Sequence, residues 1–185
     1  SSRGLGDVYK RQGRYIMGLL QVATSTVTGT PTTVSLTGIN DDSVYLVAYN
    51  NVTVSSSGVE MMARVTVGGT ADSSSEYDNA FKFLRADASF SNASNTNGTV
   101  FDFKPQQVSA GRSANGLLYL YNFNNSSEFS YITMEHTFFW SGSNGFSGHM
   151  GGAVQTEAQA CDGIQFICSG SGTYVTGSFS LFKVV

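Results

Sequence analysis

The pattern of apolar and polar residues along the chain predicts an all-β protein. Apolar segments of strand length recur from Val34 onward, and clusters of Gly, Ser and Asn separate them. Short strands at this spacing are typical of a β-sandwich or a barrel. The predicted strands are residues 19–27, 33–36, 44–54, 59–67, 80–90, 99–103, 117–123, 129–140, 148–156, 164–168 and 174–184.

Three of these segments carry further information. Residues 44–49 and 117–121 are apolar at both alternating positions, so we expect both of their faces to be covered, one by the facing sheet and one by loops or a neighbouring subunit. In residues 129–140 the alternation is cleaner. It predicts that one set of side chains points into the core: Ile132, Met134, His136, Phe138 and Trp140.

Two polar segments are interpreted as loops. Residues 89–98 (SFSNASNTNG) have the composition of a surface loop, and residues 141–152 contain five glycines. A stretch so rich in glycine either bends sharply or lets another group approach its backbone.

Composition supports the β interpretation and limits the function. Charged residues make up 12% of the chain and hydrophobic residues 41%, with 13 Phe and 9 Tyr, so one domain can bury a core without disulfides or metals. The net charge of −3 provides no basic field for phosphates, and we expect no nucleic-acid binding. Apolar runs reach only four or five residues, far below the ~20 of a membrane-spanning helix, and we expect no membrane insertion.

The first residues are interpreted as an artefact. Residues 2–12 (SRGLGDVYKRQ) match the translation of a transposase sequencing adapter, and Gly13-Arg14 back-translates to a purine-rich stretch like a ribosome-binding site just before Met17. We therefore expect residues 1–16 to be a disordered adapter scar and leader, and residues 17–185 to be a single domain. That domain has 169 residues and, without four of the ten basic and one of the thirteen acidic groups, a net charge of −6.

Candidate catalytic groups are few. His136 lies among apolar residues and is best interpreted as a core or interface histidine. His149 replaces the last glycine of a GxSxG pattern (Gly145 to His149), which argues against a serine hydrolase. A polysaccharide depolymerase needs paired carboxylates, for which the candidates are Glu128, Glu135 and Glu157. We expect the protein not to be an enzyme.

We expect no metal or cofactor. Cys161 and Cys168 would stand ~23 Å apart on one extended segment, too far for a disulfide, so we predict two free buried thiols. The acidic segments 40–42 and 72–78 do not resemble a defined calcium loop, and turn or cap roles are favoured.

The candidate ligand or interface surface is aromatic and neutral: Tyr77, Trp140, Phe146 and His149. Aromatic rings beside amide and hydroxyl groups suit sugar recognition, because the CH groups of a sugar stack on the ring. Trp140 also fits a core or subunit-interface position.

Two segments of the second half of the chain, residues 117–140 and 151–185, carry a resemblance to a known group of proteins, as does the closing strand Gly177-Ser178-Phe179-Ser180-Leu181-Phe182. They resemble small structural or tail-fibre-like proteins of tailed bacteriophages known from environmental sequences. The resemblance implies an antiparallel two-sheet sandwich of jelly-roll type. It also implies a structural role in the virion, and it supplies no catalytic residues.

Two functions therefore lead. The first is a non-enzymatic virion component, such as a tail-fibre, appendage or decoration module, that forms a homo-oligomer, for example a trimer, and docks to other virion proteins. The alternative is an adhesin domain that binds a host surface glycan. Both place the protein in the virion.

Overall fold

The structure is a computed structural model that describes residues 18–87, 89–142 and 145–185. The predicted adapter and leader, residues 1–16, lie outside the described residues, as does Met17. No helix in the described part of the chain is long and apolar enough to cross a membrane.

Thirteen strands make up the described chain. They are β1 (Leu19–Thr26), β2 (Thr33–Thr37), β3 (Tyr45–Val54), β4 (Val59–Val67), β5 (Thr70–Ala71), β6 (Tyr77–Arg85), β7 (Ser91–Gly98), β8 (Phe101–Val108), β9 (Ala114–Tyr121), β10 (Ser130–Trp140), β11 (Gly145–Gln155), β12 (Gly163–Cys168) and β13 (Tyr174–Val184). The pairings described between them are antiparallel. The all-β, antiparallel prediction is confirmed.

The strands form one curled sheet, which corrects the predicted two-sheet sandwich. Its main path runs β1-β13-β3-β9-β10-β8-β4-β12-β2, and β11, β6 and β7 extend from β10. The link that joins the two halves is β8, which pairs with β4 at both of its ends and with β10 where Val108 meets Trp140. Because β1 and β2 at the two ends of the path lie against each other, the sheet nearly closes into a barrel-like shape.

The predicted inward residues of β10 are confirmed. Ile132, Met134, His136 and Phe138 are buried, and Trp140 packs partly buried against the same core. In β3 both faces are covered, as predicted, since Tyr45, Leu46 and Val47 are all buried. In β9 only one face is covered: Leu118 and Leu120 are buried, whereas Leu117 and Tyr119 are 43% and 41% exposed.

Both polar segments predicted as loops contain strands. Residues 91–98 form β7, an edge strand held to β6 by backbone pairing although most of its Ser and Asn side chains are exposed. Residues 145–152 belong to β11, whose glycines admit close neighbours: a Cβ on Gly151 would lie 2.3 Å from the Ala80 carbonyl oxygen of β6. Of the two alternatives for the glycines, a close approach to the backbone is therefore the one observed.

The acidic turns have the predicted cap roles. Asp41 accepts hydrogen bonds from the Ser43 amide (3.1 Å) and from the Tyr45 hydroxyl (3.0 Å), and Asp72 accepts one from the Ser74 amide (2.9 Å). No group of three or more His, Cys, Asp or Glu side chains that could hold a metal ion occurs among the described residues.

The thiols are free and buried, as predicted. Cys161 is 0% exposed and Cys168 is 4% exposed, and burial raises the pKa of each thiol from 9.0 to about 11. Since the thiolate is the reacting form, at pH 8 a pKa near 11 lowers the reactive fraction about 100-fold.

We expect Ellman's reagent at pH 8 to react with these thiols at least about 100-fold more slowly in the native protein than in 6 M guanidinium chloride, where both should titrate. The protein in guanidinium serves as its own control. Fast reaction of the native protein, or fewer than two thiols after unfolding, would contradict this assignment.

Candidate functional site

A groove crosses the outer face of four neighbouring strands, β9, β10, β11 and β6. Its floor is a row of outward-facing positions in register: Asn115 lies opposite Thr137, Thr137 opposite Gly148, and Gly148 opposite Leu84. At ~4.8 Å per strand the row is ~14 Å long. The groove has a volume of about 530 Å³, within the range of small-ligand sites.

Larger side chains form the two walls. One wall lies two positions away from the floor along each strand. It consists of Leu117 on β9, Glu135 on β10 and Met150 on β11, which are neighbours across the sheet. Phe146 forms part of the opposite wall, and its side chain is 52% exposed. Asn50 at one end adds a second amide. The groove therefore combines apolar walls with amide and hydroxyl groups, and Glu135 is the only acidic or basic residue among its described lining besides two histidines.

Beneath the floor, the inward-facing positions of the same strands carry a row of buried rings. This row crosses β3, β9, β10, β11 and β6 in that order. Its positions are Tyr49, Gly116, His136, His149 and Phe83, of which all but Gly116 carry a ring. The Tyr49 hydroxyl is hydrogen-bonded to His136 Nδ1.

Gly116 makes that hydrogen bond sterically feasible. A Cβ at Gly116 would lie 2.6 Å from His136 Nδ1 and 2.7 Å from the Tyr49 hydroxyl oxygen. The absence of a side chain at this position therefore leaves the space through which the two rings meet.

The two histidines are neutral at pH 7. Burial lowers the pKa of His136 from 6.5 to about 3, with the nearby His149 as a second cause, and burial lowers the pKa of His149 to about 4. The neighbours of His149 are the rings of Phe81, Phe83 and Phe138, with centroids 5.0 to 5.9 Å away. An apolar setting of this kind penalises the charged imidazolium.

Three nitrogens of this pair have no hydrogen-bond partner among the described residues: His136 Nε2 and both ring nitrogens of His149. The two rings stand 6.3 Å apart between centroids. Both side chains are 2% exposed and contribute to the groove from beneath, near Gly116 and Gly148. At neutral pH each imidazole can donate one hydrogen bond and accept another, but neither carries a charge.

The four predicted surface residues do not form one surface. Phe146 is exposed and lines the groove. Tyr77 is 0% exposed, because it begins the inward-facing set of β6 and donates its hydroxyl to the Asp72 carbonyl oxygen at 2.8 Å. His149 is buried because β11 runs through the segment that was predicted as a loop.

Trp140 has the core position that was its alternative interpretation. It is partly buried, 5.5 Å from the Phe83 ring, and the Arg85 guanidinium lies 4.3 Å above it.

The main groove residues were not among those predicted: Asn50, Asn115, Leu117, Thr137 and Met150. A partial signal was present on β10, where the residues between the predicted inward positions had to face outward. The pairing partners on β9 and β11, which complete the groove, were not predictable from that strand alone.

Comparisons with known proteins give distant similarities in structure only. No protein-family model matches the chain, and no curated protein matches its sequence.

Two solved structures resemble it at a distance. The alginate lyase Aly36B has 12% sequence identity and a TM-score of 0.41, over 90% of this chain and 78% of the lyase chain. The enzymatically active domain of tailspike protein 2 from bacteriophage CBA120 has 10% identity and a TM-score of 0.37, over 96% of this chain and 30% of that chain. Both likenesses are distant and carry no functional conclusion for this chain.

Proposed function

We propose that the groove binds a carbohydrate chain and that the protein is a glycan-recognition module. One combination of features supports this proposal: the groove is open and ~14 Å long, an exposed aromatic ring lies at one wall, and amide and hydroxyl groups lie along its floor and end. An extended oligosaccharide fits such a groove, because its hydroxyl groups can replace water on the polar side chains while its CH faces cover the apolar side chains.

Each part of the groove has a distinct task in this proposal. Phe146, the most exposed hydrophobic residue of the walls, provides the stacking platform. The Thr137 hydroxyl and the Asn50 amide provide hydrogen bonds to ring substituents. Asn115 is partly engaged already, since its Oδ1 accepts a hydrogen bond from the Asn51 amide at 2.9 Å, which fixes the orientation of its side-chain NH₂ group.

Replacing Phe146 with Ala is expected to weaken glycan binding about 10-fold or more, because a desolvated aromatic contact is worth ~1.4 kcal/mol or more. Thr137→Val, which keeps the shape and removes the hydroxyl, should weaken binding about 3- to 10-fold. Binding is measured by calorimetry on the oligosaccharides that a glycan array retains.

Phe129→Ala is the matched control, since Phe129 is 40% exposed and does not line the groove. It should bind like the parent protein. Equal binding by all three variants would contradict the proposed site.

Self-association is the second candidate function, and one observation favours it. The same outer face leaves Leu117, Tyr119, Tyr131 and Met150 between 41% and 45% exposed, an apolar surface of the kind that a second copy or another virion protein covers. In that case no glycan is retained, and light scattering shows an oligomer that Leu117→Asp and Tyr119→Asp return to the monomer. The proposed location for either function is the virion.

A further inference from the structure

Glu135 carries the only carboxylate among the described lining residues of the groove. Its side chain is exposed on the wall between the main groove and a second depression, which Tyr119, Thr133 and Gly151 help to line. It makes no hydrogen bond or ion pair with any described residue. A ligand in either depression therefore meets a carboxylate that no described side chain neutralises.

The nearest described basic groups do not cancel this charge. Lys82 follows Glu135 and Met150 in the same cross-strand row, so its Cα is two strands, ~9.6 Å, from that of Glu135, and its ammonium points over Phe90. Arg85 is paired with Asp87 at 2.9 Å. Arg112 lies over Phe139, 5.3 Å from the ring centroid, and does not line the groove.

The histidines below the floor contribute no positive charge at neutral pH, because burial holds their pKa values at about 3 and 4. The local charge of the groove is therefore negative. A negatively charged sugar would bring a second carboxylate next to Glu135, which costs free energy, whereas a protonated amine would pair with it.

We propose that Glu135 determines the glycan class, so that the groove prefers sugars with a free amine, such as unacetylated hexosamines, and rejects uronate polymers. This inference rests on the proposed glycan function. Specificity here arises from both the attraction of the amine and the repulsion of the acid.

The test compares three tetrasaccharides by calorimetry at pH 6 and low salt: β-1,4-glucosamine, its N-acetylated form and β-1,4-mannuronate. We expect the glucosamine tetramer to bind about 5-fold more tightly than the N-acetylated one, and the mannuronate tetramer to bind most weakly. Glu135→Gln should remove the amine preference and raise the affinity for mannuronate about 3-fold. Glu128→Gln, an equal charge change outside the groove, should do neither.

The outcomes separate the two proposals. If the three tetramers bind with equal affinity, and Glu135→Gln changes none of them, the charge inference is wrong and the glycan function stands. If the glucosamine tetramer fails to bind while the N-acetylated or mannuronate tetramer binds, the charge inference is also wrong. If none of the tetramers and no array glycan binds, the glycan function fails and the charge inference fails with it.

Discussion

Lowering the pH from 6.5 to 4.5 is expected to remove about 5 kcal/mol of the free energy of unfolding, because His136 and His149 are buried in neutral form. Their folded pKa values, about 3 and about 4, lie below the ordinary value of 6.5. The unfolded chain therefore binds about one more proton than the folded one at pH 6.5 and nearly two more by pH 5, at ~1.4 kcal/mol per proton and pH unit. The stability is fully present above pH 6.5 and is lost as the pH falls towards 4.

The expected loss is comparable to the whole free energy of unfolding of a domain. Domains of ordinary size have a total free energy of unfolding of ~5–15 kcal/mol, so acid unfolding near pH 4 to 5 is the expected result. Within the part of the chain that the structure describes, the pair has one polar partner, the Tyr49 hydroxyl on His136 Nδ1, and the other aromatic side chains around the two imidazoles are phenylalanines. No acidic group is among these neighbours, so nothing there offsets the cost of the imidazolium charges.

The measurement is urea unfolding between pH 7 and 5, followed by the fluorescence of the single tryptophan. Over this range most carboxylates stay ionised in both states, so the slope reports the histidines. Between pH 6.5 and 5 the parent protein should lose about 2 kcal/mol per pH unit, and His149→Phe, which suits the surrounding phenylalanine rings, about half of that. A slope that is flat in the parent, or the same in both proteins, would show that the imidazoles are not buried as described.

Local patterns predicted most of the strands correctly, and the reason is visible in β10. Its alternation of buried and exposed residues has a period of two that only a strand with one covered face produces. The same signal is absent in β7, whose polar side chains lie mostly in solvent, and in β11, where Gly148, Gly151 and Gly152 remove the apolar side chains that would mark a strand. For this reason residues 89–98 were predicted as a loop, and residues 141–152 were interpreted as a glycine-rich loop that overlaps the predicted strand 148–156.

The closure of the sheet and the candidate site depend on pairings between distant segments. The ring row requires Tyr49 of β3, Gly116 of β9 and His136 of β10 to be in register, although 67 and 20 residues separate them along the chain. A shift of one residue on any of these strands would turn the side chain to the other face. Neither the groove nor the Tyr49–His136 contact therefore has a signature in any single segment.

The contact across Gly116 also shows how the groove and the core constrain each other. The strands whose outer face forms the floor of the groove carry the buried rings on their inner face. At Gly116 and Gly148 no side chain lies between the groove and the imidazoles of His136 and His149. Changes that move the buried rings are thus expected to alter the groove, which lies directly above them.

Replacing Gly116 with Ala is expected to lower the free energy of unfolding by about 2–6 kcal/mol at pH 7. The new methyl group would lie within 2.7 Å of both His136 Nδ1 and the Tyr49 hydroxyl oxygen, and neither ring can retreat, because Tyr49 packs against Phe179 (5.7 Å) and His136 against Phe103 (5.0 Å). Overpacking costs ~1–3 kcal/mol, and separating a buried hydrogen-bonded pair costs ~1–3 kcal/mol more. Urea unfolding compares this variant with Gly152→Ala. Among the described residues, the new methyl group there meets only the Ile132 carbonyl oxygen at 3.1 Å, and the substitution should cost less than about 1 kcal/mol. Tyr49→Phe removes one of the clashing atoms, so Gly116→Ala should cost less in that background; equal costs for Gly116→Ala and Gly152→Ala would mean that Tyr49 and His136 do not meet across Gly116.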